Sequence, residues 1–145
     1  MPQPQPLPLG LVTNPTSGRG RGAQASEIVR RQLAQAGAEF LDLSAADYET
    51  ALGRAKQAVN DRRIGGLIVV GGDGMAHLGV NACAQTNVPL GIVPAGTGND
   101  SATTVGMPAD VAEAVATILK HRDAPVAVDL IRARSASHEF WSLGT

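Results

Sequence analysis

Three glycine-rich segments contain the residues whose types and spacing best suit phosphate chemistry. They are Asn14-Pro15-Thr16-Ser17-Gly18, Gly71-Gly72-Asp73-Gly74 and Gly96-Thr97-Gly98-Asn99-Asp100. Glycine lets backbone N–H groups approach an anion closely, because no side chain stands in the way. A helix that begins directly after such a segment adds free amides and the positive end of its dipole. We therefore treat these segments, called the first, second and third loops below, as candidates for a nucleotide phosphate site.

Asp73 is the residue of the second loop that does not fit a simple anion site. A carboxylate repels phosphates unless it binds Mg²⁺ or has a proton or hydrogen bond to accept. Its presence therefore predicts a metal ion, a water molecule or a hydroxyl group as its partner. Asp73 is our candidate catalytic residue, and the pattern does not identify a set of metal ligands.

Aliphatic runs of about five residues precede the loops and alternate with stretches of helical periodicity, which is typical of βαβ units. The runs predict strands over Leu9–Thr13, Phe40–Leu43, Leu67–Val70, Leu90–Val93 and Val126–Ile131, with a last strand over Glu139–Leu143. The periodic stretches predict helices from Gly22 to Ala36 with Gly37 as a stop, from Met75 to Gln85, from Pro108 to His121, and one after Ser44.

The helix after Ser44 has a recognisable start. Ser44 followed by Asp47 three residues later resembles a capping box, so Ser44 is the predicted N-cap. Its predicted apolar stripe consists of Tyr48, Leu52, Ala55 and Val59.

The alternation of strands and helices predicts an α/β fold, a Rossmann-like three-layer sandwich with a mostly parallel sheet and right-handed crossovers. The carboxyl ends of parallel strands share one edge of the sheet, and ligands bind there. One glycine-rich loop is as well explained by a tight turn as by a phosphate site. Three such loops meeting at one edge favour a binding site.

Composition limits the other classes of protein. The 145 residues fit one domain, and 12 basic against 13 acidic residues leave a net charge of −1, so no global basic field attracts nucleic acid. The single Cys83 cannot form an internal disulfide, which favours a reducing compartment. No run reaches the ~18 apolar residues of a membrane span. Residues 1–8, rich in proline and without a basic residue, are interpreted as a disordered leader.

Two common nucleotide motifs are missing from the sequence. G-x-x-x-x-G-K-S/T does not occur, which excludes an ordinary P-loop, and the glycines from Gly18 to Gly22 lack the G-x-G-x-x-G spacing. Asp42 lies where a dehydrogenase would bind the ribose, but without the fingerprint a Rossmann dehydrogenase is a poor explanation.

The three loops, in this order and at this spacing, resemble the diacylglycerol kinase catalytic domain from about Leu9 to Ile131. That family includes bacterial lipid kinases and eukaryotic diacylglycerol, sphingosine and ceramide kinases, and NAD kinases and phosphofructokinases share its G-G-D-G loop. The resemblance implies that ATP and Mg²⁺ bind between this domain and a second, β-rich domain. It also implies transfer of the γ-phosphoryl group to a lipid hydroxyl, with diacylglycerol as the expected substrate and phosphatidic acid as product.

The resemblance further implies domain limits and site residues. Residues 9–136 would form the nucleotide-binding domain, and residues 137–145 would begin the β-rich domain, which would supply the general base. Ser44 stands where many members have a threonine that contacts the nucleotide. The implied nucleotide-binding residues are Asn14, Pro15, Thr16, Ser17, Gly18, Ser44, Gly71, Gly72, Asp73, Gly74, Met75, Gly96, Thr97, Gly98, Asn99 and Asp100.

The chain departs from the family pattern just after the second loop. The family continues G-G-D-G-T-x-N-E, whereas this chain has Met75, His77 and Leu78 at the three polar positions, and Ser101 replaces a usual phenylalanine. Altered nucleotide affinity or metal use is therefore expected. Two alternatives stay open: a non-catalytic nucleotide-binding regulatory module, and an NAD kinase-like enzyme, against which the first and third loops argue. The resemblance implies a cytoplasmic protein that meets the membrane surface only through its lipid substrate. It leaves open which lipid is used and whether the protein forms a homodimer.

Overall fold

The computed structural model describes residues 6–14, 20–124, 130–134 and 139–143, the last two ranges by their backbone alone. Four strands form a fully parallel sheet in the order β2-β1-β3-β4. The strands are β1 (Leu9–Thr13), β2 (Phe40–Asp42), β3 (Gly66–Gly71) and β4 (Leu90–Pro94). The α-helices are α1 (Arg21–Gln35), α2 (Tyr48–Asn60), α3 (Asp73–Cys83), α4 (Asp100–Thr104) and α5 (Val111–His121).

The helices cover both faces of the sheet, which confirms the predicted three-layer α/β fold. The central strand β3 shows why. Leu67 and Val69 pack with the residues of α2 and α3, whereas Ile68 and Val70 pack with α1 and α5 on the opposite face. All four side chains are at most 1% exposed. A strand covered on both faces must be apolar at every position.

Helix α1 ends as its sequence indicates. Gly37 adopts a left-handed φ of 69°, and the amides of Gly37 and Ala38 donate to the carbonyls of Ala34 and Leu33. Glycine takes this conformation without the steric penalty that other residues meet. The buried residues of α1 include Ala25, Val29 and Leu33, whereas Ile28 is 37% exposed.

Helix α2 begins later than predicted, and the prediction that Ser44 is its N-cap was wrong. Asp47 is the cap, since its side chain accepts a hydrogen bond from the amide of Thr50 at 2.8 Å. The buried face consists of Ala51, Ala55, Ala58 and Val59. Tyr48 lies on the same side, but its place in the first turn brings it to the end of the sheet, where 37% of it is exposed.

Other helix ends also differ from the predictions. Helix α3 begins at Asp73 instead of Met75, so part of the second loop is helical. Helix α5 begins at Val111 because the side chain of Asp110 accepts from the amide of Glu113 at 3.0 Å. Helix α4 was not predicted at all, since five residues are too few to display a helical period.

Two further strands, β5 (Leu130–Arg134) and β6 (Glu139–Leu143), pair in antiparallel fashion and form a separate two-stranded sheet. The prediction for Glu139–Leu143 is confirmed. The strand predicted over Val126–Ile131 overlaps β5 only at its end, and residues 126–129 lie outside the described ranges. The β5–β6 pairing joins residues from both sides of the domain limit predicted at residue 136. Within the described ranges, no helix has the length and apolar character needed to cross a membrane.

Candidate nucleotide site

A cavity of about 530 Å³ lies at the carboxyl-terminal edge of the parallel sheet. Because all four strands run in one direction, the segments that follow them meet at this edge. The cavity is lined by Val12–Asn14, by Ala45–Tyr48 and Ala51, by Gly72–Met75 and Leu78, and by Gly96–Gly98.

The structure brings much of the predicted nucleotide-binding set together. The predicted residues that line the cavity are Asn14, Gly72, Asp73, Gly74, Met75, Gly96, Thr97 and Gly98. Four predicted residues do not line the cavity but lie within two positions of a lining residue along the chain: Ser44, Gly71, Asn99 and Asp100. Pro15, Thr16, Ser17 and Gly18 lie outside the described ranges.

The second and third loops are in direct backbone contact. A Cβ added to Gly72 would lie 2.9 Å from the carbonyl oxygen of Gly98, and one added to Gly96 would overlap the Cα of Gly72. The amide of Ala95 also donates to the carbonyl of Gly71 at 2.8 Å. Glycine at positions 72 and 96 is therefore required by the contact between the loops, before any ligand is considered.

Asp73 connects the second loop to the start of α4. Its amide donates to the carbonyl of Gly98 at 3.0 Å, and its Oδ1 accepts from the amide of Ser101 at 2.9 Å. The carboxylate thus caps α4, since the side chain of the N-cap residue Asn99 does not. Sequence reasoning predicted a metal ion, a water or a hydroxyl as its partner and overlooked this amide, which lies 28 residues away along the chain.

Asn99 holds the third loop in shape. Its Oδ1 accepts from the amide of Gly96 at 3.2 Å, and its Nδ2 donates to the carbonyl of the same residue at 3.0 Å. These two bonds close the loop on itself and leave Thr97 and Gly98 exposed at the cavity.

Ser44 lies behind the cavity wall. Its Oγ accepts a hydrogen bond from the amide of Thr13 at 2.9 Å, and Thr13 lines the cavity while only 6% exposed. The amide of Ser44 donates to Oδ1 of Asp42 at 2.9 Å, and Arg54 donates to the carbonyl of Ser44. Ser44 therefore fixes the end of β1, from which the first loop begins.

Asp42 extends this network to α1. Arg30 donates to its Oδ2 at 2.7 Å, and the same guanidinium lies 5.6 Å from the ring centroid of Phe40. Burial alone would raise the pKa of Asp42, but the hydrogen bonds from Arg30 and Ser44 outweigh it and hold the pKa below its usual value of 3.8. The carboxylate that a dehydrogenase would use for ribose is here engaged by Arg30 and Ser44.

Residues 45–48, which lead into α2 and include its first residue, are the part of the site that sequence reasoning missed. Tyr48, predicted as a core residue, lines the cavity, and its ring centroid lies 6.3 Å from that of His77 at an interplanar angle of 26°. Burial, with a smaller effect of Glu49, raises the pKa of Tyr48. The signal was present, because this segment also follows a strand of the parallel sheet.

Met75 and Leu78 make the inner wall of the cavity apolar. Met75 is 9% exposed and Leu78 is fully buried, and both belong to the core cluster that includes Ala51 and Ala55 of α2. The family pattern has threonine and glutamate at these two positions. Their replacement therefore removes polar groups from the inner wall and adds apolar surface.

The donor groups at the cavity fit a magnesium ion that arrives with a nucleotide. No cluster of three His, Cys, Asp or Glu side chains occurs in the ranges that the structure describes. Both carboxylate oxygens of Asp47 accept hydrogen bonds from Thr50, whereas Asp73 uses Oδ1 to cap α4. Asp73 is therefore the better candidate of the two to hold a metal ion. Mg²⁺ at nucleotide sites is commonly held by one or two carboxylates together with phosphate and water oxygens, so a single carboxylate is compatible with Mg²⁺–nucleotide.

The fold and the site define an α/β domain with a glycine-lined cavity at the carboxyl edge of a parallel sheet. The sequence-family model that describes the diacylglycerol kinase catalytic domain matches residues 8–132 of the chain. The chain therefore belongs to the diacylglycerol kinase catalytic domain family.

Individual relatives agree with this assignment. The chain is 34% identical over 108 residues to a diacylglycerol kinase of Mycobacterium tuberculosis, covering 74% of this chain and 35% of that protein. It is 32% identical over 136 residues to a diacylglycerol kinase of Bacillus subtilis, covering 86% of this chain and 42% of that protein. A solved diacylglycerol kinase structure from Bacillus anthracis superposes on this chain with a TM-score of 0.69 at 26% identity. The superposition covers 82% of this chain and 44% of that structure's chain. The chain thus spans about two-fifths of the length of these relatives.

Proposed function

We propose that this chain is the nucleotide-binding part of an ATP-dependent lipid kinase. The full natural protein would transfer the γ-phosphoryl group of ATP to a lipid hydroxyl, with diacylglycerol as substrate and phosphatidic acid as product. The observation that carries the proposal is the glycine-lined cavity formed where the second and third loops pack together. The family and the names of the relatives supply the lipid substrate.

Each part of the site has a proposed role. The backbone of the second and third loops and Asn14, together with residues 15–18, would bind the phosphates. Thr97 would lie beside the nucleotide, while Ser44, Asn99 and Asp100 would shape the site around it. Asp73 is the proposed catalytic residue and would hold Mg²⁺ with Oδ2, since Oδ1 accepts from the amide of Ser101. The ion would supply positive charge that neutralises the phosphates during transfer.

Gly74 gives the nucleotide site support that does not depend on the family. Among the residues that the structure describes, no heavy atom lies within 4 Å of a Cβ added at this position, and its backbone does not adopt a positive φ. Gly74 also lies inside α3, where alanine is favoured over glycine. Neither packing against the described residues nor backbone conformation explains this glycine, whereas close approach of a ligand does.

The proposal also includes the cellular location of the full natural protein and the activity expected of these 145 residues without the rest of it. We propose a cytoplasmic protein that meets the membrane surface through its lipid substrate. These 145 residues by themselves would bind nucleotide weakly and turn over little, because the general base would lie in the β-rich domain. Assembly into a homodimer is left open.

The test is phosphoryl transfer by the full natural protein. It would be incubated with Mg²⁺, ATP labelled in the γ-phosphate, and a panel containing diacylglycerol, sphingosine, ceramide and NAD. We expect label in phosphatidic acid. If no lipid alcohol is phosphorylated, the kinase proposal fails, and label in NADP would instead support an NAD kinase-like enzyme.

A second candidate, a non-catalytic nucleotide-binding module, is favoured by the apolar inner wall. The side chains of Met75 and Leu78 contain no oxygen that could bind a nucleotide or a metal ion, and both are buried. This candidate predicts that the full natural protein binds ATP without turnover. The double substitution Met75→Thr and His77→Asn should then raise binding or activity, and no gain from it would show that these two positions are not the cause.

A further inference from the structure

Arg30 of α1 is held from three sides, although it does not line the cavity. Its Nε donates to Oγ of Ser26, one helical turn earlier, at 3.2 Å. A terminal nitrogen donates to Oδ2 of Asp42 at 2.7 Å, and the guanidinium lies 5.6 Å from the ring centroid of Phe40. A single ion pair at a partly exposed position contributes little, so it is the combination of three contacts that fixes the orientation of this side chain.

From Asp42 the polar contacts continue to the end of β1, where side chains take over from strand pairing. The amide of Leu43 still donates to the backbone carbonyl of Leu11 at 2.8 Å. Two residues further along β1, the amide of Thr13 donates to Oγ of Ser44 at 2.9 Å instead of to a strand. The amide of Ser44 is in turn bound by Oδ1 of Asp42 at 2.9 Å. The place of the end of β1 therefore depends on how Ser44 is held.

Asn14 is the cavity-lining residue that this arrangement controls. It follows Thr13 directly, and its amide donates to the carbonyl of Val70 in β3 at 3.2 Å. The end of β1 is thus held by backbone on the side of β3 and by the side chain of Ser44 on the side of β2. A shift of Ser44 would therefore move Asn14 relative to the second and third loops.

We propose that Arg30 is a positioning residue for the phosphate side of the cavity, formed by Asn14 and the second and third loops. It holds Asp42 and, through Ser44, sets the place of Asn14 without touching the nucleotide. Chains of hydrogen-bonded side chains that end at a binding site change its affinity when they are broken at a distance. The proposal rests on the nucleotide-binding function proposed above and adds a residue outside the cavity on which the affinity depends.

The experiment is a double-mutant cycle with two ligands that share their phosphates. Calorimetry would measure binding of Mg²⁺–ATP and of Mg²⁺–tripolyphosphate to the full natural protein as wild type, Arg30→Ala, Ser44→Ala and the double variant. Arg31→Ala is the matched control, because Arg31 is the next residue of α1 and pairs with the exposed Glu27 of the same helix. We expect Arg30→Ala to weaken binding of both ligands by about three-fold or more. In the Ser44→Ala background it should add no further loss, and Arg31→Ala should bind like the wild type.

Three results overturn the positioning role while leaving the nucleotide site intact. The first is an unchanged affinity in Arg30→Ala. The second is an additive loss in the double variant, since Arg30 would then act independently of Ser44. The third is a loss for ATP alone, because the effect would not lie at the phosphates. If the wild type binds neither ligand, the proposed nucleotide site itself is overturned, and the role of Arg30 falls with it.

A conservative variant separates positioning from support of the fold. Arg30→Lys keeps a positive charge beside Asp42 but lacks the Nε donor to Ser26 and the planar group over Phe40. Its affinity for Mg²⁺–ATP should lie between those of the wild type and Ser44→Ala, and urea unfolding verifies that each variant is folded under the conditions of binding. An affinity of Arg30→Lys below that of Ser44→Ala would refute action through Ser44, and this comparison decides the matter even where Arg30→Ala does not fold.

Discussion

The glycines of the site serve different purposes, although their sequence context is nearly the same. Gly72 and Gly96 allow the second and third loops to touch, whereas no atom of the described residues lies within 4 Å of a Cβ added at Gly74. The motif therefore combines glycines that internal packing requires with Gly74, which we propose a ligand approaches. Only substitution of individual positions separates the two.

The contrast between Gly74 and Gly96 gives the first prediction. Gly74→Ala should leave the free energy of unfolding unchanged or raise it by up to about 1 kcal/mol, because alanine is favoured in a helix, and should weaken ATP binding. Gly96→Ala should lower the free energy of unfolding by about 1–3 kcal/mol, because the added Cβ overlaps the backbone of Gly72. Urea unfolding and calorimetry with Mg²⁺–ATP measure both effects. Unaltered ATP binding by Gly74→Ala would show that no ligand approaches this residue.

Asp73 gives the second prediction, since its capping of α4 and its proposed binding of Mg²⁺ can be separated. Asparagine keeps an oxygen that accepts from the amide of Ser101 but has no charge. Asp73→Ala should lower stability by about 1 kcal/mol through loss of the cap, and Asp73→Asn should lower it less. Both should abolish phosphoryl transfer by the full natural protein if the negative charge holds the metal ion. Equal destabilisation by the two substitutions would contradict the capping role.

At the scale of elements, a polar network links α1 to the end of β1. It passes from Arg30 through Asp42 and Ser44 to the amide of Thr13. Ser44, which the sequence suggested as a helix cap, instead joins β1 to the segment after β2. The network therefore positions the start of the first loop relative to the cavity.

The network predicts a specific dependence of stability on pH. Folding lowers the pKa of Asp42 below 3.8, so its ionised form stabilises the fold. This contribution is complete above about pH 5 and is lost as the pH falls through 3.8 towards the lower pKa of the folded state. Asp42→Asn should therefore flatten the acid side of the stability profile, measured by urea unfolding between pH 3 and pH 6. The exposed Asp123 provides the control Asp123→Asn, and equal profiles for wild type and Asp42→Asn would contradict the role of the network.

For the whole molecule, the core lies in two layers on either side of the sheet. Cys83 belongs to the layer formed with α2 and α3, and burial raises the pKa of its thiol to about 12. The thiolate is the reactive form of cysteine. The fold therefore protects Cys83 from thiol reagents, and its rate of modification measures how often the surrounding core opens.

Cys83 provides the last prediction. In the folded chain at pH 8 it should react with a thiol reagent at least about 100-fold more slowly than in urea, because both its accessibility and its ionised fraction are low. Mg²⁺–ATP should slow the reaction further if it binds the folded state in preference to the unfolded one. Quantitation of the modified protein by mass spectrometry gives the rates. Similar rates in the folded and unfolded chain would show that this side of the core opens readily.

The amino-acid sequence by itself determined the α/β alternation, the parallel sheet, the family and the edge at which the loops meet. These features follow from local periodicity, short motifs and the direction of parallel strands, which neighbouring residues along the chain specify. Only the tertiary structure decided which side chains meet across the sheet. In the structure, Asp73 accepts a hydrogen bond from the amide of Ser101, and Tyr48 lines the cavity. Ser44, predicted as a helix cap, instead bonds to the amide of Thr13 at the end of β1. Contacts between residues that are distant in sequence depend on the packing of whole elements, and no local pattern encodes that packing.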